Sequence, residues 1–380
     1  MNTNNTQDQR DVVHVWQCAA IDHGVTIFPN GKIGPCCLIA ADYLKPIDVL
    51  SNPDRFADLR TPAASPPLGC HECTLAEHYG DKSYRQTFNS QRTQALGVQF
   101  LDIRNSNLCN LKCRTCGPHF SNKWGDELGY EITIKRQDIT EHLPYLLTDD
   151  LHWMYFTGGE PLINRDHWEL LEELIASGRS RNIKLMYNTN MTTLKYKKTQ
   201  IVSIWQQFAG VTVNCSIDAI GEKINYIRSG ADWDTIIQNF DKLHRLSLYW
   251  DKFHINLTPT VSILNIWFFA ELVKFASDYN ITCKPIILGG PEIFALSVIP
   301  DSLTDLALEQ LTLAATYNVV EPATLDRIKK SIVVNNMTQW MDRATREILL
   351  MDHVRSENLF GLLPFTQTAL AAIHQFNEYK

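Results

Sequence analysis

From residue 98 onward the chain alternates short apolar runs with amphipathic stretches, the pattern of β-strands that each return through a helix to a parallel neighbour. The strands predicted in this way are Val98–Ile103, His152–Thr157, Lys184–Asn188, Val211–Ile217, His254–Thr260 and Thr282–Leu288, each but the last followed by a helical stretch. In Trp168–Ala176 the residues Leu170, Leu171, Leu174 and Ile175 recur at helical spacing, as do Ile236, Ile237, Phe240 and Leu243 in Trp233–Leu246. Such stripes face a core rather than a cofactor. After Pro300 the pattern turns helical, over Ala307–Tyr317, Leu325–Leu350 and Phe365–Phe376.

Before residue 98 the signal differs. GVTIFPNGKIGPCC alternates apolar and polar positions around Asn30-Gly31, a hairpin signal, and Thr61–Gly69 (TPAASPPLG) reads as an extended loop. No repeat of solenoid or propeller length recurs. The expected fold is α/β: a disordered lead over 1–10, a small cysteine-rich hairpin region over 11–97, a barrel-like parallel sheet over 98–300 and a helical extension over 301–380.

With 44% hydrophobic and 20% charged residues in 380, the chain can bury a substantial core, and its formal net charge of −7 offers no basic field for nucleic acid. The first ten residues have no apolar stretch of a signal peptide, and the run Ile263–Val273, interrupted by Asn265 and Glu271, is too short to span a bilayer. The expectation is a cytoplasmic protein with neither nucleic-acid nor membrane partners.

Ten cysteines in such a setting are not expected to be disulfides. Eight of them fall between Cys18 and Cys116 in close groups, the distribution of ligands to a metal or cluster, whereas Cys215 and Cys283 stand alone. Asn107–Gly117 reads NLCNLKCRTCG, placing Cys109, Cys113 and Cys116 on one loop after the first barrel strand. Three thiolates can hold three corners of a 4Fe-4S cubane and leave the fourth iron open. The alternative is a zinc site closed by a fourth ligand such as His119.

This triad resembles the cluster loop of radical S-adenosylmethionine (SAM) enzymes, which follows the first strand of a partial (β/α)6 barrel. One βα unit later, Tyr155–Leu162 (YFTGGEPL) is similar to the GGEP motif of that family, whose backbone contacts the methionyl amino group of SAM. On this likeness Gly158, Gly159, Glu160 and Pro161 are cofactor-binding. Gly158 and Gly159, without Cβ, permit close backbone approach to the ligand, and Glu160 with its carbonyl neighbours can receive the ammonium group. Asn188 and Asn190 after the third strand, Ser216 and Asp218 at the fourth, and Arg228 in NYIRSGADW occupy positions that in the family hold the ribose and carboxylate of SAM. A guanidinium suits a carboxylate through paired donors, and Asp218 has a rival reading as a cap for the following helix. The chain departs from the family at Thr115, where an aromatic residue is frequent.

Cys18-x12-Gly31-x4-Cys36 followed by Cys70-x2-Cys73 resembles the ligand set of the twitch and SPASM auxiliary-cluster domains of radical SAM enzymes, in the shorter twitch form and placed before the barrel. A hairpin joins its two ends, so Cys18 and Cys36 become neighbours. Cys37 is either an alternative ligand or a buried neighbour, and tetrahedral zinc also suits four cysteines in two groups.

The resemblance implies two 4Fe-4S clusters, SAM, and an external reductant such as flavodoxin or ferredoxin. It implies reductive cleavage of SAM to a 5′-deoxyadenosyl radical that abstracts hydrogen from a substrate carbon, with modification of a peptide or protein ahead of oxidation of a small molecule such as a sugar or aminoglycoside. Crosslinking is favoured over epimerisation, because Cys215 faces the helices and Cys283 is no better placed to donate hydrogen. The contrasting class is a non-catalytic zinc-binding interaction protein.

Overall fold

The computed structural model describes residues 16–60, 68–129, 137–333 and 340–362. The expected lead over 1–10, most of the loop Thr61–Gly69 and the helix Phe365–Phe376 lie outside them. The strands of the main sheet are β1 (Gly24–Ile27), β2 (Lys32–Gly34), β3 (Lys45–Pro46), β4 (Phe100–Ile103), β5 (Trp153–Phe156), β6 (Lys184–Thr189), β7 (Gly210–Cys215), β8 (Phe253–Leu257) and β9 (Thr282–Cys283). They lie in the order β9-β8-β7-β6-β5-β4-β1-β2-β3. From β4 to β9 every pairing is parallel, so the α/β fold with a parallel sheet is present as expected.

Two long predicted strands are shorter than their apolar runs. The run His254–Thr260 stops at Leu257 and resumes as Thr260–Val261, which pairs with Ile286–Ile287. The run Thr282–Leu288 breaks likewise between Cys283 and Ile286. Pro259 interrupts the first and Pro285 the second, and neither can donate a ladder hydrogen bond.

The alternation of side chains sorts the sheet into two faces. Leu101, Ile103, Met154, Phe156, Leu185, Tyr187, Val211, Val213 and Cys215 join the main core with Trp168, Leu171 and Leu174 of α4 (Arg165–Ala176) and Ile236, Phe240 and Leu243 of α5 (Trp233–Tyr249). Both helices begin at side-chain caps: Asn164 accepts from the Asp166 N–H and Asp232 from the Thr235 N–H. On the other face Phe100, Trp153 and Tyr155 meet Ala19 and Ala20 of α1 (Ala19–His23) and Phe88 of α3 (Tyr84–Gln91).

The hairpin at Asn30-Gly31 forms, with Thr26 opposite Gly34 and Gly31 at a φ of 75°. It is continuous with the main sheet, since β1 lies parallel to β4 with Gly24 opposite Phe100 and Ile27 opposite Ile103. Ahead of α3 runs α2 (His71–His78). Beyond Pro300 come α7 (Asp301–Ala315), α8 (Pro322–Val333) and α9 (Met341–Arg355), after α6 (Phe269–Asp278). The α8 helix is tied to the turn before α3 by Arg327 Nη1 on Asp81 at 2.7 Å. No described helix is long and apolar enough to cross a membrane.

Candidate active site

The loop that follows β4 is folded upon itself by short polar contacts. The Asn122 side chain accepts from the Cys109 N–H at 3.0 Å, the Asn122 N–H donates to the Asn107 carbonyl at 3.0 Å, and the Ser121 hydroxyl donates to the Leu111 carbonyl at 2.6 Å. Lys112–Cys113 pairs antiparallel with Arg228–Ser229, so Cys113 lies opposite Arg228. Burial pushes the Cys109 thiol up to about 11 and raises Cys113 and Cys116 as well, while the Arg228 guanidinium opposes the rise at all three. Buried neutral thiols ionise when a soft cationic centre compensates the lost hydration, which is the chemistry of cluster ligands.

The GGEP turn packs directly on this loop. Its Gly159 N–H donates to the Ser106 carbonyl at 3.1 Å and the Glu160 N–H to the Leu108 carbonyl at 2.8 Å. A Cβ on Gly159 would lie 2.1 Å from the Leu108 oxygen, and Gly158 sits at a φ of 104° beside Arg104 and Ser106. The close approach that these glycines permit is thus made by the chain's own cysteine loop. The Glu160 carboxylate, 2% exposed, accepts from the Leu162 N–H, the Thr189 hydroxyl at 2.9 Å and the Asn190 N–H at 2.7 Å. Burial raises it to about 7 against the pull of those donors. Its side chain therefore joins the turn to the end of β6, and the backbone of the turn is what faces the adjoining space.

Cys109, Cys113, Cys116, Gly158, Gly159, Glu160, Asn188, Asn190, Ser216 and Arg228 line one cavity of about 910 Å³, measured with its open mouth. Two expected residues stand behind this wall. Pro161 opens the turn that follows and is buried. Asp218, with no exposed surface, accepts from the Thr260 N–H at 2.7 Å and lies 2.7 Å from Arg228 Nε, so it orients the guanidinium instead of capping a helix. Arg228 in turn places Nη1 4.0 Å from the Cys113 sulfur.

Further residues also reach the cavity. Thr157 and Thr260 stand just past strand ends, as the singled-out residues do, and could have been found by that rule; Thr115 and the half-exposed Phe120 come from the cysteine loop. A row of amides crosses the sheet below: Asn214 donates to Asn188 at 2.8 Å and Asn256 to Asn214 at 3.0 Å. Cys215 and Cys283 are buried, in the core shared with the helices.

The N-terminal cysteines form a second group. Cys18, Cys36, Cys70 and Cys73 line one smaller cavity, about 320 Å³, with Trp16, Leu38, Tyr84 and Phe88. Gly24 lets the two hairpin ends meet, since a Cβ there would lie 2.3 Å from the Pro35 carbonyl oxygen. Burial pushes Cys18 up to about 12 and Cys70 to about 11, and it raises Cys36 and Cys73 too. Cys37 is outside that lining: burial pushes its thiol up to about 12, with the Arg104 guanidinium opposing the rise and the Asp102 carboxylate adding to it. Among the described residues, no three His, Cys, Asp or Glu side chains are gathered closely enough to hold a single metal ion.

The family model described as the radical SAM superfamily matches residues 105–257, the stretch that runs from the cysteine loop to the end of β8. Over 204 residues, 52% of this chain and 30% of the relative, the sequence is 27% identical to molybdenum cofactor biosynthesis protein 1 of Dictyostelium discoideum. Over 187 residues, 49% of this chain and 52% of the relative, it is 23% identical to the GTP 3′,8-cyclase of Listeria welshimeri. The chain thus spans about half or less of the length of these relatives. A solved structure described as native anSMEcpe with bound AdoMet is similar to 57% of this chain, covering 60% of its own, at 16% identity and a TM-score of 0.42. Residues 105–257 thus match the radical SAM superfamily model, and the curated relatives resemble the chain over about half of its length.

Proposed function

We propose that this chain is a radical SAM enzyme, in which Cys109, Cys113 and Cys116 would hold the catalytic 4Fe-4S cluster and the adjoining cavity would bind SAM. The observation that carries this reading is the convergence of three thiols from one loop with Asn188, Asn190, Ser216 and Arg228 from three later segments around a single cavity. When bound, the cluster and SAM together supply a reactive deoxyadenosyl group able to take hydrogen from an unactivated carbon.

The chain's own residues position and exclude. Backbone groups of Gly158 and Gly159 receive the ammonium end, while the Glu160 carboxylate keeps the turn pinned to β6. Arg228, oriented by Asp218, presents a fixed positive charge to the carboxylate end and to the thiolates together. Asn188 and Ser216 supply neutral partners for ribose hydroxyls. Beside the cluster, Thr115 brings no ring, and Phe120 is an aromatic residue of the same loop that reaches the cavity.

Cys18, Cys36, Cys70 and Cys73 are proposed to hold an auxiliary 4Fe-4S cluster that accepts or relays electrons, with Cys37 outside the ligand set. An external reductant, a flavodoxin or ferredoxin, supplies the electron. The auxiliary set supports oxidative modification of a peptide or protein as the reaction. The names of the curated relatives, and the amide row Asn188–Asn214–Asn256, favour a second reading with a polar small molecule as substrate.

The test is anaerobic incubation of reconstituted protein with dithionite and SAM, with 5′-deoxyadenosine as the readout. Production of the nucleoside is expected, and its absence with a filled cluster rejects the reading. Addition of candidate peptides or nucleotides in deuterium-labelled form then separates the two substrates, since only the true one passes deuterium to the nucleoside.

A further inference from the structure

Both neighbours of Cys113 are buried or half-buried cations, and both lead to the same distant helix. On one side the Lys112 ammonium lies 2.8 Å from a Glu127 carboxylate oxygen, and Glu127 is gripped by the Arg355 guanidinium at 2.9 Å. On the other side Arg114, with no exposed surface, reaches Asp352 at 2.7 Å and Glu357 at 2.5 Å. Its Nε donates to the Tyr226 carbonyl at 2.9 Å, its Cζ lies 3.8 Å from the centre of the Tyr226 ring, and its backbone N–H donates to the Ile227 carbonyl at 2.8 Å. Asp352 and Arg355 belong to α9 and Glu357 follows it directly, more than 220 residues along the chain from the loop.

A loop of eleven residues with three thiols has many conformations, and holding a cubane requires one. Buried ion pairs add little net stability but are costly to break on one side, so they select a geometry more than they strengthen a fold. Partners standing behind ligands hold those ligands in register, and their loss typically weakens metal affinity 10–100-fold.

We infer that the end of α9 is a clamp on the cluster loop, with Asp352, Glu357 and Arg355 acting as positioning residues that fix Cys113 through Arg114 and through the Glu127–Lys112 pair. The clamp rests on the reading of Cys109, Cys113 and Cys116 as cluster ligands. The helical extension then serves the site directly, since docking of α9 sets the ligand geometry.

The test compares the full-length protein with the Asp352→Asn, Glu357→Gln double variant, and with Asp81→Asn as a control that breaks the Arg327 ion pair on the far α8 helix. Two readouts are taken. One is the rate at which a chelator strips the SAM-responsive cluster from reconstituted protein. The other is amide exchange of the apo-protein over residues 107–117, against that over 184–189. The double variant is expected to lose the cluster about tenfold faster and to exchange faster over 107–117 alone, with the control unchanged. Equal cluster retention and equal exchange overturn the clamp, as does equal weakening by the control. If the double variant fails to fold, Glu357→Gln alone is measured, with a smaller shift in the same direction expected and no shift counting against the clamp. Should the unsubstituted protein hold no cluster on the triad, the ligand assignment fails, and the exchange comparison still decides whether α9 orders the loop.

Discussion

The two cysteine sites differ in what surrounds the thiols. Cys109, Cys113 and Cys116 open onto a cavity of about 910 Å³ that also holds amides, hydroxyls and a guanidinium. Cys18, Cys36, Cys70 and Cys73 close around about 320 Å³ lined by Trp16, Leu38, Tyr84 and Phe88, with Arg85. If each set holds a cluster as proposed, three thiols beside polar space would leave one position for a ligand, whereas four thiols among aromatic side chains would leave none. A low-dielectric shell suits storage and passage of electrons, and a polar open one suits binding. The contrast is what the proposed roles rest on, chemistry at the first site and support at the second.

The sharpest way to break that contrast is to remove ligands from each site in turn. Cys109→Ala, Cys113→Ala, Cys116→Ala is expected to abolish nucleoside formation from SAM, whereas Cys70→Ala, Cys73→Ala should leave detectable cleavage of SAM and lower turnover of substrate. Loss of SAM cleavage in the second variant alone would reverse the assignment.

Next in size is Asp218→Ala. It strands the partly buried Arg228 guanidinium, with an expected cost of about 1–3 kcal/mol in chemical denaturation, and a tenfold or greater weakening of SAM binding by calorimetry. An Asp218→Ala protein that bound SAM normally would show that Arg228 needs no orientation. Gly159→Ala should follow: its Cβ would fall 2.1 Å from a backbone oxygen of the cysteine loop, which cannot swing aside as a side chain can. Overpacking of this kind typically costs about 1–3 kcal/mol, and the displaced loop is expected to lower iron content before it lowers helicity.

A last prediction sharpens the fold behind the turn. His167 is buried on α4 with Nε2 2.8 Å from the Tyr187 hydroxyl, and burial lowers its pKa to about 3. The unfolded chain takes up the proton near pH 6.5 and the folded chain resists to about 3, so stability is full above pH 6.5 and falls as acid is added through that window. The slope from this one group is about 1.4 kcal/mol per pH unit at most. In His167→Gln the fall in Tm between pH 6.5 and pH 4 is expected to be shallower; an unchanged slope would place the acid sensitivity elsewhere.

Much of this was legible in the sequence because local periodicity and spacing encode it. The six parallel strands appear within two residues of their predicted starts, and the cores of α4 and α5 use the leucines and isoleucines that the helical stripe marked. The triad, the GGEP turn and Arg228 came together around one cavity because strand ends of a parallel sheet converge. Long-range pairings carried no such signal. Nothing in the alternation of Gly24–Ile27 says that it will lie beside Phe100–Ile103, so the hairpin read as a separate region whereas it extends the main sheet. The short helix Ala19–His23 has too few residues for a period to show. The partners of Arg114 lie 238 and 243 residues away, which is why a fully buried arginine in the middle of the cysteine motif gave no hint of its role. The glycines of the turn were recognised, but their tight neighbour is the chain itself, and only a three-dimensional contact distinguishes that from a ligand.

The measurement closest to the central claim is anaerobic reconstitution of the protein and of its Cys109→Ala, Cys113→Ala, Cys116→Ala variant, with iron counted per chain and the reduced clusters observed by electron paramagnetic resonance with and without SAM. The account predicts about eight irons in the protein and about four in the variant, with a spectral change on adding SAM in the protein only. A spectrum that ignores SAM in both, or one that still responds to SAM in the variant, would contradict it.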